Sequence, residues 1–169
     1  MILTGKEIQN QVNAGNIVIE PFILDNLNPN SYNYCMGTHY KEKYWSDSGV
    51  DQFSELMEIP HQGLILKPKR LYLSSTAEII GSRRYVVSLM GRSSIGRLGL
   101  FVQLSADLGN LGEAHRWTLE LTCIQPITVY PNMVLGQVSF WMPKGEIELY
   151  KGKYHSFNSP KESIYASRR

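Results

Sequence analysis

From residue 55 onward the sequence is a succession of short β-rich runs, most of them separated by glycine, proline or asparagine. These runs are 55–59, 64–66, 70–74, 76–80, 84–90, 100–106, 117–123, 126–130 and 133–141. Many short strands at close spacing are typical of an all-β barrel or sandwich, whereas βαβ units would alternate strands with longer helical patterns. Two earlier runs, 17–19 and 32–36, predict further strands ahead of this region.

The N-terminal residues predict one short helix. Thr4 and Glu7 form a capping-box pattern, and Gly15 supplies the residue that commonly follows a helix C-terminus. Neither an internal repeat nor a linker interrupts the chain, so we interpret residues 1–169 as one domain that can bury its own core. The segment 144–169 is rich in Lys, Ser and Tyr and lacks periodicity, as expected of a tail that is frayed or folded over something.

The composition limits the kinds of partner and the compartment. A net charge of +2 without a basic stripe argues against nucleic-acid binding, and no apolar run is long enough to cross a bilayer. Lys6 and Glu7 stand where a secretion signal would be apolar. Cys35 and Cys123 lie far apart in strand-like patterns and are predicted to be buried thiols. We therefore expect a cytoplasmic protein that binds neither nucleic acid nor membranes.

Several kinds of metal and nucleotide chemistry lack their motifs here. Zinc deaminases need His-x-Glu followed by Pro-Cys-x-x-Cys, and neither pattern occurs. The Walker pattern and the Gly-x-Gly-x-x-Gly pattern are also absent. His61, beside Pro60, is interpreted as a loop residue. No transition metal held by the protein, zinc included, is expected.

The run 91–97, GRSSIGR, places two guanidinium groups and two hydroxyls on a turn that could continue into a short helix. Such donors suit phosphate oxygens, and a carboxylate nearby could act as a general base. Glu120 is a candidate base, because in 117–123 it shares a strand face with Thr118 and Thr122, away from the apolar residues. The alternative is a charged surface turn and a solvated strand face.

The segment Arg92–Leu100, RSSIGRLGL, resembles the signature of the dCTP deaminases, which belong to the trimeric dUTPase-like superfamily. The resemblance covers nearly the whole chain. Its other segments are 1–8, 15–22, 28–33 with Gly37, 118–121, 130–133 with 136–137, and 153–154 with Pro160. It implies a mainly β fold, a distorted β-barrel or jelly-roll of the dUTPase-like type with a short N-terminal helix. It also implies a homotrimer with active sites between subunits.

The activity implied by the resemblance is a zinc-independent deamination of a cytosine nucleotide, with Mg2+ bound through the nucleotide phosphates. By position, Glu120 would be the general base, and Ser93 and Arg97 would hold the water and stabilise developing charge. The tail 144–169 would close over the nucleotide. The implied nucleotide-binding residues are Arg92, Ser94, Ala106, Asn110, Gln137, Lys153 and Tyr154.

The loop 110–115, NLGEAH, departs from the family's Asp-Pro-Gly-aromatic-x-Gly pattern, and the tail departs from it at one position. Asn110 stands where the family has an aspartate that contacts the sugar and, in dUTP-hydrolysing relatives, serves the attacking water. An amide cannot accept that proton, so release of diphosphate from dUTP is expected to be absent or very slow. Glu113 replaces an aromatic residue near the sugar and would either face the sugar or point to water. Phe157 stands where the family has a glutamine.

Three functional hypotheses follow. The first is deamination of dCTP, or a close relative, to dUTP and ammonia, favoured by the retention of Ser93, Arg97 and Glu120. The second is hydrolysis of a pyrimidine nucleotide to release diphosphate, which the loss of the aspartate at position 110 disfavours. The third is a non-catalytic nucleotide-binding or regulatory trimer, favoured by the altered loop 110–116.

Overall fold

The structure, a computed structural model, describes the chain apart from residues 46–50, 103–105, 155–156 and 166–169. Within the described residues the chain forms thirteen strands and two α-helices. The strands are β1 (Val18–Glu20), β2 (Tyr32–Cys35), β3 (His39–Trp45), β4 (Asp51–Phe53), β5 (Met57–Glu58), β6 (Leu64–Leu66), β7 (Tyr72–Ser75), β8 (Ile79–Gly81), β9 (Val86–Gly91), β10 (Leu100–Val102), β11 (Thr118–Cys123), β12 (Ile127–Val129) and β13 (Val134–Trp141).

The predicted N-terminal helix is α1 (Gly5–Asn13). The Thr4 side chain accepts the N–H of Glu7 at 3.4 Å and so caps the helix. Gly15, with φ of 71°, lies just beyond the C-terminus in the left-handed region that glycine adopts most readily. Ile8 is fully buried and fixes the inner face of α1 against the strands. The predicted helix and both of its ends are therefore confirmed.

The strands pair antiparallel in four groups that together make a distorted, nearly closed barrel. The largest runs in the order β10–β11–β7–β3–β4, with β5 also paired to β3. A second sheet runs β2–β13–β9, and the remaining pairs are β1–β8 and β12–β6. The prediction of a mainly β, barrel-like fold with one short N-terminal helix is confirmed.

The core fills the space between these sheets and is built largely from tyrosine and aliphatic side chains. Tyr32, Tyr34, Tyr72 and Phe140 are fully buried or nearly so. Burying a large apolar side chain contributes about 1.5–3 kcal/mol, so this cluster is a main source of stability. The two cysteines are buried and free, as predicted.

The predicted strands are found close to their expected places, with two corrections. β3 and β4 were not predicted, because the sequence of β3, HYKEKYW, carries charged residues that suggest a loop. The predicted strand 100–106 was too long: β10 ends at Val102, residues 103–105 lie outside the described part, and Ala106 is not in a strand. Among the described residues, no helix is both long enough and apolar enough to cross a membrane.

Candidate functional site

The Arg92–Arg97 segment lies where β9 turns into a single helical turn, α2 (Ser93–Gly96). Arg92 is extended at the N-terminal boundary, and its N–H donates to the carbonyl of Leu135 at 3.2 Å. Ile95 is buried and anchors the turn, whereas Ser93, Ser94 and Arg97 are exposed. The sequence thus folds locally so that one apolar residue holds the turn and the phosphate-type donors face outward.

Glu120 lies in the middle of β11, opposite Leu73 of β7. Along β11 the side chains of Leu119, Leu121 and Cys123 are buried, while Glu120 is exposed. This alternation confirms the predicted strand face. β11 is an inner strand, paired to β10 on one side and to β7 on the other, so the backbone that carries the carboxylate is held along both edges.

The two halves of the predicted catalytic set lie on different sheets. α2 extends from β9, in the three-stranded sheet, whereas Glu120 belongs to the six-stranded sheet. The chain passes between them through Gly99, whose φ is 84°, and enters β10 beside β11. The two groups therefore lie on different sheets of one chain, with β10 between them, because β10 contacts α2 and pairs with β11.

A pocket of about 140 Å³ opens between the 110–117 loop and the beginning of the tail. Its lining residues are Asn110, Gly112, Glu113, His115, Trp117, Tyr150 and Tyr154. Of the predicted nucleotide-binding residues, the pocket brings together Asn110 and Tyr154. The loop and the tail are joined where the N–H of Tyr150 donates to the carbonyl of Leu111 at 2.8 Å.

Two aromatic rings that the sequence analysis did not single out form one wall of this pocket. The rings of His115 and Trp117 lie 4.4 Å apart between centroids, with an interplanar angle of 33°. The indole N–H of Trp117 donates to the carbonyl of Ile80 at 2.9 Å. The backbone N–H of Trp117 donates to Thr76 Oγ1 at 3.0 Å. His115 and Trp117 are two residues apart directly before β11, and this spacing was the sequence signal that could have placed both rings on one face.

The altered loop has a defined arrangement. Glu113 accepts a hydrogen bond from Arg83 Nη1 at 2.8 Å, and the side chains of both are more than half exposed. The carboxylate is therefore engaged by a cation at the surface, while Glu113 also lines the pocket that contains Asn110. Asn110 is exposed at the pocket.

The other predicted binding residues are spread over the surface. Gln137 is half-buried in β13, where its side-chain oxygen accepts a hydrogen bond from Ser31 Oγ at 2.9 Å. Ala106 and Lys153 are exposed. Phe157, at the position of the family's glutamine, packs edge-on to Tyr154 with ring centroids 6.0 Å apart.

The tail folds back on its own chain. The N–H of Lys161 donates to Thr118 Oγ1 at 3.1 Å, on the strand face that also carries Glu120. The N–H of Arg116 donates to Asn158 Oδ1 at 3.1 Å, and Glu162 forms an ion pair with Lys41 at 2.7 Å. The tail therefore lies along the outer side of β11, next to the candidate base.

The fold also buries a carboxylate that the sequence analysis missed. Glu78 is 2% exposed, and its two oxygens lie 3.0 and 3.2 Å from the backbone nitrogen of Cys35, which donates to them. Burial raises the pKa of Glu78, and the hydrogen bond from Cys35 and the nearby charge of Arg116 offset part of that effect. Burial also raises the pKa of the Cys35 thiol to about 12, with the charge of Glu78 adding to the shift.

The described residues contain no group of three or more His, Cys, Asp or Glu side chains placed to hold a metal ion.

A family model described as dCTP deaminase-like matches residues 2–142 of this sequence. The chain belongs to the dCTP deaminase-like family. The resemblance seen in the sequence is thereby confirmed, and so is the fold type it implied. Within the family, a protein of Clostridium botulinum (strain Eklund 17B / Type B) named "dCTP deaminase, dUMP-forming" is 43% identical over 168 residues, covering 97% of this chain and 96% of that protein.

A second relative, from Rhodopirellula baltica (strain DSM 10527 / NCIMB 13988 / SH1), is named simply "dCTP deaminase". It is 38% identical over 168 residues, covering 97% of this chain and 84% of the relative. The fold also matches the crystal structure of 2'-deoxycytidine 5'-triphosphate deaminase from Agrobacterium tumefaciens, with a TM-score of 0.68 and 20% identity. That match covers 84% of this chain and 48% of the solved chain, so the present chain spans about half of it.

The relatives' names differ from the sequence-based expectation in one respect. The sequence predicted dUTP as the product of a dCTP deaminase, whereas the Clostridium botulinum relative is named for forming dUMP. The name therefore joins deamination and loss of diphosphate, which the sequence analysis had treated as alternatives.

Proposed function

We propose that this protein deaminates dCTP and releases dUMP, ammonia and diphosphate, with two molecules of water consumed. The observation that carries the proposal is 43% identity, over 97% of this chain, to a protein named as a dUMP-forming dCTP deaminase. The exposed Glu120 on a doubly paired strand and the outward donors of α2 supply the chemistry that such a reaction needs.

In the deamination step Glu120 accepts a proton from water, and the water oxygen bonds to C4 of the cytosine ring. Ser93 and Arg97 hold the water and stabilise the charge that develops on the ring. The C4–N bond then breaks, the proton is returned to the departing nitrogen, and ammonia leaves. A positioned base and preorganised donors are the two contributions that side chains make to such a step.

The remaining predicted residues bind the nucleotide. Arg92 and Ser94 contact phosphate, Ala106 contacts the base through its backbone, and Asn110 contacts the sugar. The tail, residues 144–169, covers the triphosphate through Lys153 and Tyr154. Gln137 also contacts the nucleotide. Magnesium enters on the triphosphate as part of the substrate. We take residues 1–169 as one functional unit and place it in the cytoplasm, since its buried free thiols suit a reducing compartment.

The decisive experiment incubates the protein with dCTP and magnesium and measures ammonia together with the uracil nucleotides by chromatography. Equal amounts of ammonia, dUMP and diphosphate are expected. Binding of the nucleotide without release of ammonia would refute the proposal and support the third hypothesis, a non-catalytic nucleotide-binding protein.

Asn110 favours a second candidate function, deamination that stops at dUTP. Its amide cannot accept a proton from water. The same incubation separates the two, because this candidate gives ammonia and dUTP without diphosphate.

Arg92→Ala is expected to weaken dCTP binding by about 1.5–3 kcal/mol, the range for hydrogen bonds to charged groups. Arg97→Ala should instead lower chiefly the turnover number. Isothermal titration and steady-state kinetics distinguish these effects. Arg84→Ala is the matched control, since Arg84 is a surface arginine that donates to Asn16 Oδ1 at 3.0 Å. Equal effects of the Arg92 and Arg97 variants, confined to binding, would contradict the division of roles.

We further propose that the active form is a homotrimer with sites between subunits. Three observations support this: α2 and Glu120 lie on separate sheets, the pocket of about 140 Å³ is smaller than the roughly 300–1,000 Å³ usual for ligand sites, and apolar side chains are exposed near α2. Those side chains are Leu98 and Ile124, which are 50% and 70% exposed.

Light scattering at micromolar concentration should give three times the mass of one chain. Ile124→Lys, which places a charge in the exposed apolar group, should shift the protein toward monomer and reduce activity in parallel. Ile65→Lys is the matched control, since Ile65 is 58% exposed on a different strand pair. A wild-type protein that is active as a monomer would refute the assembly and the shared site with it.

A further inference from the structure

Forming dUMP from dCTP consumes two waters, and a proton must be removed from each of them as it attacks. Glu120 serves the deamination in the proposal above. The second water has to lose a proton as it attacks phosphorus, and the amide of Asn110 cannot take it. A different proton acceptor close to Asn110 would supply what this position lacks.

The pocket that contains Asn110 holds few groups able to accept a proton. Among its described lining residues, Glu113 is bound by Arg83 Nη1 at 2.8 Å and its side chain is 61% exposed. The pocket is also lined by Tyr150 and Tyr154. An imidazole is the side chain best suited to accept and return a proton near neutral pH, and among the described lining residues His115 carries one.

The surroundings of His115 fix both the position and the tautomer of its ring. Its backbone exchanges hydrogen bonds with Ile80, N–H to O at 3.2 Å and O to N–H at 3.0 Å. The ring packs against Trp117, whose indole N–H is held by the carbonyl of Ile80. His115 Nδ1 lies 3.0 Å from the carbonyl oxygen of Arg116. Because a carbonyl can only accept, Nδ1 carries the hydrogen, and Nε2 of the neutral ring keeps a lone pair.

We propose that His115 is the general base that releases diphosphate in the second half of the reaction, an inference that rests on the proposed dUMP-forming activity. Water transfers a proton to Nε2 while its oxygen bonds to the α-phosphorus. The bond from that phosphorus to the bridging oxygen breaks, and diphosphate leaves with the electron pair. The proton on Nε2 then passes to solvent, and the ring regains its neutral form. His115 thereby replaces the carboxylate that position 110 lacks.

The test gives dUTP and magnesium directly to the wild-type protein and to His115→Gln, and it follows diphosphate release. His115→Gln is expected to slow this step by about 10²–10⁴-fold, the usual effect of losing a general base. With dCTP as the substrate, the ratio of dUTP to dUMP among the products should rise accordingly. His115→Phe, which keeps a ring against Trp117, should give the same shift if it folds. Asn110→Asp added to His115→Gln should restore diphosphate release.

Two matched variants separate this role from a general disturbance. His61→Gln changes an exposed histidine in a turn and should keep the wild-type product ratio. Glu113→Gln removes the carboxylate of the loop and should also keep the wild-type product ratio. Diphosphate release at the wild-type rate in His115→Gln, or its loss in Glu113→Gln instead, would overturn the proposal for His115.

The failure of this inference is distinguishable from failure of the proposed function. A wild-type protein that releases no ammonia from dCTP refutes the proposed function. Ammonia release that ends at dUTP leaves the deamination standing but refutes the dUMP-forming step of the proposed function, and the role of His115 with it. Wild-type formation of dUMP that persists unchanged in both His115 variants refutes the role of His115 alone.

Discussion

Glu120→Gln is expected to lower the rate of dCTP deamination by about 10²–10⁴-fold, the range for loss of a general base. Glutamine keeps the size of the side chain and much of its hydrogen bonding but cannot accept a proton at neutral pH. The fold should be unaffected, because residue 120 is exposed while its neighbours Leu119 and Leu121 fill the core. Ammonia release measures the rate, and calorimetric titration should show nearly unchanged affinity for dCTP.

The matched control for this variant is Glu58→Gln. Glu58 is also an exposed strand glutamate, in β5 opposite His39, so it tests the chemical change away from the proposed site. It should retain wild-type kinetics. Near-normal turnover in Glu120→Gln would mean that the carboxylate is a solvated strand residue and would remove the base from the mechanism. A loss of thermal stability with the loss of rate would point to a structural role.

Most strands could be predicted because their signals are local. β6 matches the predicted run 64–66, and β11 and β13 are each within one residue of the predicted ends. In β11 the alternation of buried and exposed residues is visible in the sequence itself. β3 was missed because its lysines and glutamate are accommodated by tertiary contacts, including the ion pair between Lys41 and Glu162 of the tail.

The candidate site likewise has one part that local sequence patterns predict and another that depends on tertiary contacts. The donors of α2 and the face of Glu120 follow from short patterns, so the sequence was sufficient to place them. The pocket depends on contacts between distant segments, such as Trp117 with Ile80 and Tyr150 with Leu111. No local pattern encodes those contacts. A role for His115 can therefore be inferred only from the fold, which places it in the same pocket lining as Asn110.

Glu78 was missed for a related reason. In the run 76–80, TAEII, a glutamate beside two isoleucines suggests the polar face of a strand, not the interior. The structure instead buries the carboxylate and uses it to satisfy the backbone N–H of Cys35. The adjacent Thr76 hydroxyl donates to the backbone carbonyl of Glu78 at 2.7 Å and accepts the N–H of Trp117. The backbone of Glu78 is thus linked through Thr76 to Trp117, the residue directly before β11, which carries Glu120.

Glu78→Ala is expected to lower the free energy of unfolding substantially. The buried N–H of Cys35 would lose its acceptor, which costs about 1–3 kcal/mol, and the deleted side chain would leave a cavity that adds to the loss. Glu78→Gln keeps an oxygen that can accept this hydrogen bond, so it should be much less destabilising. Urea denaturation of the wild type and the two variants at neutral pH measures the difference. Equal stability of the alanine variant and the wild type would show that the N–H finds another partner.

The pH dependence of the free energy of unfolding tests whether burial makes ionisation of the Glu78 carboxylate unfavourable. Burial raises the pKa of Glu78 above its ordinary value of 4.5, so at pH values between the unfolded-state and folded-state pKa the folded protein holds a proton that the unfolded chain has released. The resulting stabilisation is fully present below the unfolded-state pKa and is lost as pH rises through the raised folded-state pKa. Wild-type stability relative to Glu78→Gln should therefore fall as pH rises from about 4.5 and then level off. A difference between the two proteins that stays constant over this range would mean that the carboxylate is ionised in the fold at no cost.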